Sequence, residues 1–303
     1  MSAEHSSRVE YDDLPALFRS ADNASNTAHR QNSLLTNATM ILLLGAAILG
    51  SLFVGNKTIT VGVTIAGAIV LSACVVLTAV SQMTHLEHVW HDGRAVAESV
   101  KTLAWRYMMG CEPYSLKLDT AQADQLFLSD VSSLLQSRTG LASRLGGAPA
   151  TMPQITARMR EVRSMNLEDR KRVYLTARLD DQVNWYARKA EYSRKSSGRL
   201  FAAMIASLIL AIIAAILIVL WPDSPVNPIG FLVNLGLAFL TWLERGRHEE
   251  LAESYGIAAQ ELGLIRERLA FVATDQQLPE FVSDAEKAVS REHTLWLARS
   301  DRR

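Results

Sequence analysis

Leu200–Pro222, LFAAMIASLILAIIAAILIVLWP, lies between Arg199 and Asp223 and contains no charged side chain. Wound as an α-helix rising 1.5 Å per residue it extends roughly 34 Å, enough to cross a hydrocarbon layer of about 30 Å. A soluble core helix of that length would carry a polar stripe, and here only Ser207 interrupts the apolar surface. Lys195 and Arg199 stand at one end, and Trp221 at the other, as interfacial residues do. The stretch is a transmembrane helix, and the rest of the chain is placed relative to it.

Two further charge-free runs, at about 34–54 and 59–83, are separated by Gly55-Asn56-Lys57-Thr58 and form a second hairpin of spans. A fourth, shorter run at 229–243 follows the turn-rich Asp223–Pro228 and closes a hairpin with the helix at 200–222. The expected architecture is an all-α integral membrane protein with four spans in two helical hairpins and long cytoplasmic helical extensions. The glycine- and proline-rich stretch Gly140–Pro153 divides it into modules at 1–147 and 148–303.

Lysine and arginine fix the orientation. Residues 1–33 hold three, the hairpin tips one, residues 84–199 eighteen and residues 244–303 nine. The positive-inside rule then puts both termini and the central segment in the cytoplasm. The polar, acidic N-terminus has no secretory signal character. The 31 basic residues balance the 31 acidic ones, which gives no support for a nucleic-acid partner. Two cysteines, Cys74 and Cys111, make neither a disulfide framework nor a zinc site.

Helical spacing continues beyond the spans. His85–Tyr107 places Arg94 one turn before Glu98. Leu167–Arg199, with Asn166 as its cap, is expected to run directly into the span at 200. Glu244–Thr274 is expected to prolong the fourth span, and a last helix starts near Pro279. Ala-Glu-Ser recurs after each hairpin, at 97–99 and 252–254.

The stretch Trp90–Lys101, WHDGRAVAESVK, with Trp105-Arg106-Tyr107 and Pro113-Tyr114, resembles one subtype of the SLATT domains, two-helix membrane effector domains associated with SMODS and SLOG proteins. A second subtype is resembled by Arg178–Gln182 with Trp185-Tyr186, then Leu251–Tyr255 with Glu253 and Tyr255, then Ser290–Trp296 with Glu292, His293 and Trp296. The likeness runs from about Leu14 to Trp296. It implies a membrane effector of a prokaryotic conflict or anti-phage defence system, assembling in the bacterial inner membrane as a homo-oligomer and permeabilising it. It also implies a separately encoded nucleotide-signal synthase or sensor as partner, because this chain carries no such domain. The rival expectation is a non-conducting scaffold holding a cytoplasmic enzyme at the bilayer.

Several residue sets are candidates within that frame. Thr60, Thr64, Gly67, Leu71, Cys74 and Thr78 form a comparatively polar stripe that either lines an aqueous path or packs against another helix. Ala203, Ser207, Ala211 and Ala215, at four-residue steps, allow close helix packing, within the hairpin or between copies. Asn234 is expected to form an interhelical hydrogen bond. Arg158, Arg160, Arg163, Arg170, Lys171, Arg172 and Arg178 are either a solvated basic face or a phosphate site. His85, His88, His91 and Asp92 have spacings open to metal, yet a helical spiral alone does not converge them. There is no phosphate loop, dinucleotide fingerprint or nucleophile elbow, so neither an enzyme nor a cofactor is expected.

Overall fold

A computed structural model describes residues 8–51, 57–137, 145, 152–222 and 227–300. The described residues contain helices and no strand. In chain order they are α1 (Ala16–Ser51), α2 (Lys57–Thr84), α3 (Leu86–Met109), α4 (Thr120–Gln136), α5 (Ala157–Ser164) and α6 (Leu167–Tyr174), then α7 (Asp180–Leu220), α8 (Ile229–Gly246), α9 (His248–Arg268) and α10 (Gln277–Ser300). The turn Leu175–Leu179 joining α6 to α7 is a π-helix. Residues 52–56 and 223–226 of the hairpin tips, and the stretch Gly140–Pro153 apart from Leu145, Met152 and Pro153, lie outside the described residues.

Local chemistry explains the helix boundaries. Asp119 accepts from the Gln122 amide at 2.7 Å and opens α4. Thr156 caps α5 through the Met159 amide at 3.2 Å, and Asn166 caps α6 through Asp169 at 2.9 Å. Each such cap satisfies an amide that the helix itself leaves unpaired. As expected, the helix from Leu167 continues to Leu220, with the π-turn inside it. The expected continuation of the fourth span to Thr274 is corrected. Arg247 adopts φ 43° and ends α8, and a new helix starts at His248. His85, between α2 and α3, has φ 48°. A left-handed residue other than glycine costs about 1–2 kcal/mol, so the second helix of each hairpin stops at a strained residue.

The helices distribute into two compact units, each drawing on both halves of the chain. The first comprises residues 1–29, 87–189 and 254–303. Its core is an ordinary soluble one. Leu14, just before α1, and Leu17 and Phe18 of α1 pack with Val96, Val100, Ala104 and Met108 from α3, Phe127 from α4, and Leu278, Val282 and Ala285 from α10. The i, i+3, i+4 pattern of these positions is the buried stripe of amphipathic helices.

The second unit comprises residues 30–86 and 190–253. It has the opposite polarity. Its buried positions are mostly small, among them Ala211, Ala214, Gly236 and Ala238, whereas Ile65, Ile69, Val75, Ile212, Val219 and Leu220 are exposed. Side chains of that kind turn outward only where the surroundings are themselves apolar. Ala16–Gly50, Thr58–Met109 and Leu167–Leu220 contain windows long and apolar enough to cross a membrane, with at most 11 % of any window buried. The fourth candidate, α8, has 18 residues and ends in Glu244-Arg245-Gly246. Its apolar part, 229–243, reaches about 22 Å, less than a bilayer core.

Candidate functional site: a buried polar seam

On α3, residues Trp90, Arg94, Glu98, Lys101 and Trp105 recur at steps of four, four, three and four, which puts them on one face. Within the first unit this face meets residues of α1, α6, the π-turn and α7. Arg94 pairs with Glu98 at 2.7 Å and with Asp22 of α1 at 3.5 Å. Its guanidinium also stands 6.0 Å from the ring centre of Trp185. Trp185 is bordered edge-on by Tyr186 and Tyr255, at 4.9 and 5.5 Å, and by the Lys189 ammonium at 5.7 Å. The aromatic residues singled out in the two halves of the sequence are therefore brought into one unit.

Close backbone approach makes this possible. A Cβ on Gly93 would stand 3.0 Å from the Ala21 carbonyl oxygen and 3.0 Å from Ser25 Cβ. Nearby, the Ser25 hydroxyl donates to the Trp90 carbonyl at 2.9 Å. The Trp90 ring lies 4.4 Å from His29 and 4.6 Å from His91. Burial, then Lys189 and His91, push the His29 pKa down.

The centre of the seam is Glu286, which was absent from the sequence-derived candidates. It is 1 % exposed and accepts from Arg178 Nε at 2.9 Å and Nη2 at 2.7 Å, from Tyr174 at 3.0 Å and from Thr102 at 2.9 Å. Four elements are tied by one carboxylate. Burial opposes the charge on Arg178, but Glu286 more than offsets it and the pKa is raised. Burial, reinforced by Glu286, holds the Tyr174 phenol well above its ordinary value. The available signal was a carboxylate beside Ala285 in the buried stripe Leu278, Val282, Ala285, Val289.

The basic cluster divides between surface and interior, with Arg160 and Arg172 exposed and Arg158 and Lys171 partly so. Arg163, Arg170 and Arg178 are buried. Arg163 donates to the carbonyls of Tyr107, Tyr114 and Ser115 at 2.7–2.9 Å, and its guanidinium covers the Tyr107 ring. Arg170 donates to the Met109 carbonyl and pairs with Asp275. Arg160 is held by Asp124, and Lys171 by Glu168 and the Val272 carbonyl. Buried arginines of this kind terminate helices by satisfying their last carbonyls. Arg106 similarly donates to the Glu112 carbonyl, and the Tyr107 hydroxyl to Asp124.

The remaining candidates fall in the second unit or outside the described side chains. Thr60, Thr64, Leu71 and Thr78 are exposed, Gly67 partly so, and Cys74 is buried with its thiol 3.9 Å from the Thr39 carbonyl of α1. The Thr64 and Thr78 hydroxyls donate one turn back along α2. Ser207 and Ala211 are buried, Ala203 and Ala215 partly so, and Ser207 Cβ stands 3.7 Å from where Gly236 would carry a Cβ, inside one hairpin. Asn234 is exposed and donates to Gly230 of its own helix at 2.7 Å, rather than across to another. Glu253 is exposed. Glu292, His293 and Trp296 belong to α10 but lie outside the residues whose side chains are described. Among the described residues no three histidine, cysteine, aspartate or glutamate side chains form a metal-binding group.

Fold and seam together define a helical membrane protein in which paired apolar helices are joined to a polar, well-packed unit. The profile of SMODS and SLOG-associating 2TM effector domain 3 matches residues 15–171, and that of domain 1 matches residues 174–296. The chain belongs to the SLATT family, as two tandem domains of different subtype. No curated protein and no solved structure matches it.

Proposed function

We propose that the chain is a four-span effector that oligomerises in the bacterial inner membrane and permeabilises it in a nucleotide-signal-triggered defence system. The observation that carries this reading is the presence of two consecutive two-transmembrane effector domains with an outward apolar surface on the second unit. The polar first unit is read as cytoplasmic, in keeping with the distribution of lysine and arginine, and both termini share that side. The signal reaches it from a separately encoded synthase or sensor. No catalytic step is assigned to the chain.

Four packed helices enclose side chains rather than a wide aqueous channel, so lethal permeabilisation requires several copies. The face carrying Thr60, Thr64 and Leu71 is uncovered within one chain and is offered to such an assembly. Leu71 is then a hydrophobic constriction that closes by dewetting. In liposomes with equal insertion, Leu71→Ser raises dye leak without any trigger, whereas Leu77→Ser, on another face of α2, has a smaller effect. Equal leak from both variants refutes the pore assignment of α2. A triggered protein that binds its signalling partner and never leaks is the scaffold instead, and a leaking monomer refutes assembly.

A further inference from the structure

Two buried hydrogen-bond donors in the seam have no partner among the described residues, and a lysine beside them has no carboxylate partner. Trp105, 1 % exposed, has an unpartnered indole Nε1, and Arg178, fully buried, has an unpartnered Nη1. Lys101 has no carboxylate within ion-pair distance among the described residues, and its ammonium stands 5.9 Å from the Phe18 ring centre. Burial, followed by the charge of Arg178, pushes the Lys101 pKa down. Buried donors are almost always satisfied in folded proteins, so Trp105 and Arg178 together, beside the Lys101 ammonium, point to an acceptor that the protein itself does not supply.

Their placement is shared. Lys101 and Trp105 are one turn apart on α3, where such residues are neighbours. Tyr174 and Arg178 are likewise four residues apart on the opposing segment, and the Trp105 ring meets Tyr174 edge-on at 5.6 Å. The charges of Lys101 and Arg178 act on each other. The donors thus occupy adjacent rungs of one helix–helix contact. The nearby carboxylates are already engaged or solvated. Glu286 accepts four hydrogen bonds, Glu98 is paired with Arg94, and Asp181 is exposed. Lys101 is partly exposed and gives the position a route to solvent.

We infer that the seam between Lys101, Trp105 and Arg178 is a binding site for a small acceptor-only anion, a halide or a phosphoryl group. An anion there adds the missing acceptor and counters the two facing cations. Since two elements contribute, its occupancy tightens α3 against the π-turn. The inference stands independently of what the spans conduct.

Bromide tests it, being small, acceptor-only and a heavy-atom quencher of indole. The full-length chain in detergent is titrated with sodium bromide against sodium gluconate at constant ionic strength, following tryptophan emission and the thermal midpoint. A saturable component of quenching is expected above the linear collisional one, with a rise in midpoint at the same bromide concentration. Trp105→Phe removes that optical component. Lys101→Met, which keeps the apolar stem, weakens half-saturation by about tenfold or more, the scale of one charge-assisted hydrogen bond. Lys101→Arg retains binding and reports on the site even where the methionine variant folds poorly. Inorganic phosphate in the same titration distinguishes a phosphoryl-sized guest, by tighter saturation, from a halide-sized one. Purely linear quenching with no midpoint shift in the unmodified protein means water alone fills the seam and overturns the inference. An undiminished saturable component in folded Lys101→Met overturns it equally.

Discussion

Glu286→Ala is the most informative single change to the fold. It strips the acceptor from a guanidinium that is 0 % exposed, leaving Arg178 as an uncompensated buried charge. Breaking a buried pair in this way costs about 3–5 kcal/mol. Tyr174 and Thr102 lose their acceptor at the same time, and an orphaned buried hydroxyl costs about 1–3 kcal/mol. These terms belong to one network and do not add, so the expected loss is about 3–5 kcal/mol with the upper end favoured. For a unit of 150–250 residues each kcal/mol moves the midpoint about 2–4 °C, which gives a fall of roughly 6–20 °C. Arg178→Met with Glu286→Leu removes both charges and replaces them with apolar volume. Exchanges of this kind are often neutral or stabilising, so the double variant recovers most of the loss. The assay is thermal unfolding of detergent-solubilised protein by circular dichroism, run as a double-mutant cycle with both single variants. A fall below about 1 kcal/mol for Glu286→Ala, or a double variant as unstable as the summed singles, refutes the pairing as drawn.

Gly93→Ala presses a methyl against the Ala21 carbonyl oxygen and Ser25, neither of which is the end of a flexible chain, and is expected to cost about 1–3 kcal/mol. An unchanged thermal midpoint would show that α1 and α3 do not approach so closely. His29 has a folded pKa below its unfolded value, so its contribution is complete above about pH 6.5 and lost as pH falls. The midpoint should drop between pH 7.5 and 5, and by less in His29→Phe, which keeps a ring against Trp90; equal drops would exonerate His29. For topology, a cysteine at Asn56 or Asn227 should react with an impermeant thiol reagent in intact cells, and one at Ser143 should not. The native thiols add little background, since both are buried and burial pushes Cys111 up to about 12. Labelling at Ser143 alone reverses the orientation.

Three apolar helices long enough to cross a membrane and the continuous helix from Leu167 were legible in the sequence because they depend on runs of composition and on 3.6-residue periodicity, which are local properties. The caps at Asn166 and the salt bridge from Arg94 to Glu98 were legible for the same reason, since each closes within one helical turn. Local patterning did not reveal the left-handed break at Arg247, where periodicity continues across a backbone that does not. Nor did it identify which cations are buried. Arg163, Arg170 and Arg178 resemble Arg158 and Arg172 in sequence, and their desolvation depends on carbonyls and carboxylates up to 108 residues away. Glu286 and its donors Thr102, Tyr174 and Arg178 are likewise brought together only by packing. The apolar periodicity of the chain determines where helices form and which faces are greasy. Which polar groups leave water, and whose charge each must then meet, is decided by the tertiary structure, because desolvation is a property of all the surrounding elements at once.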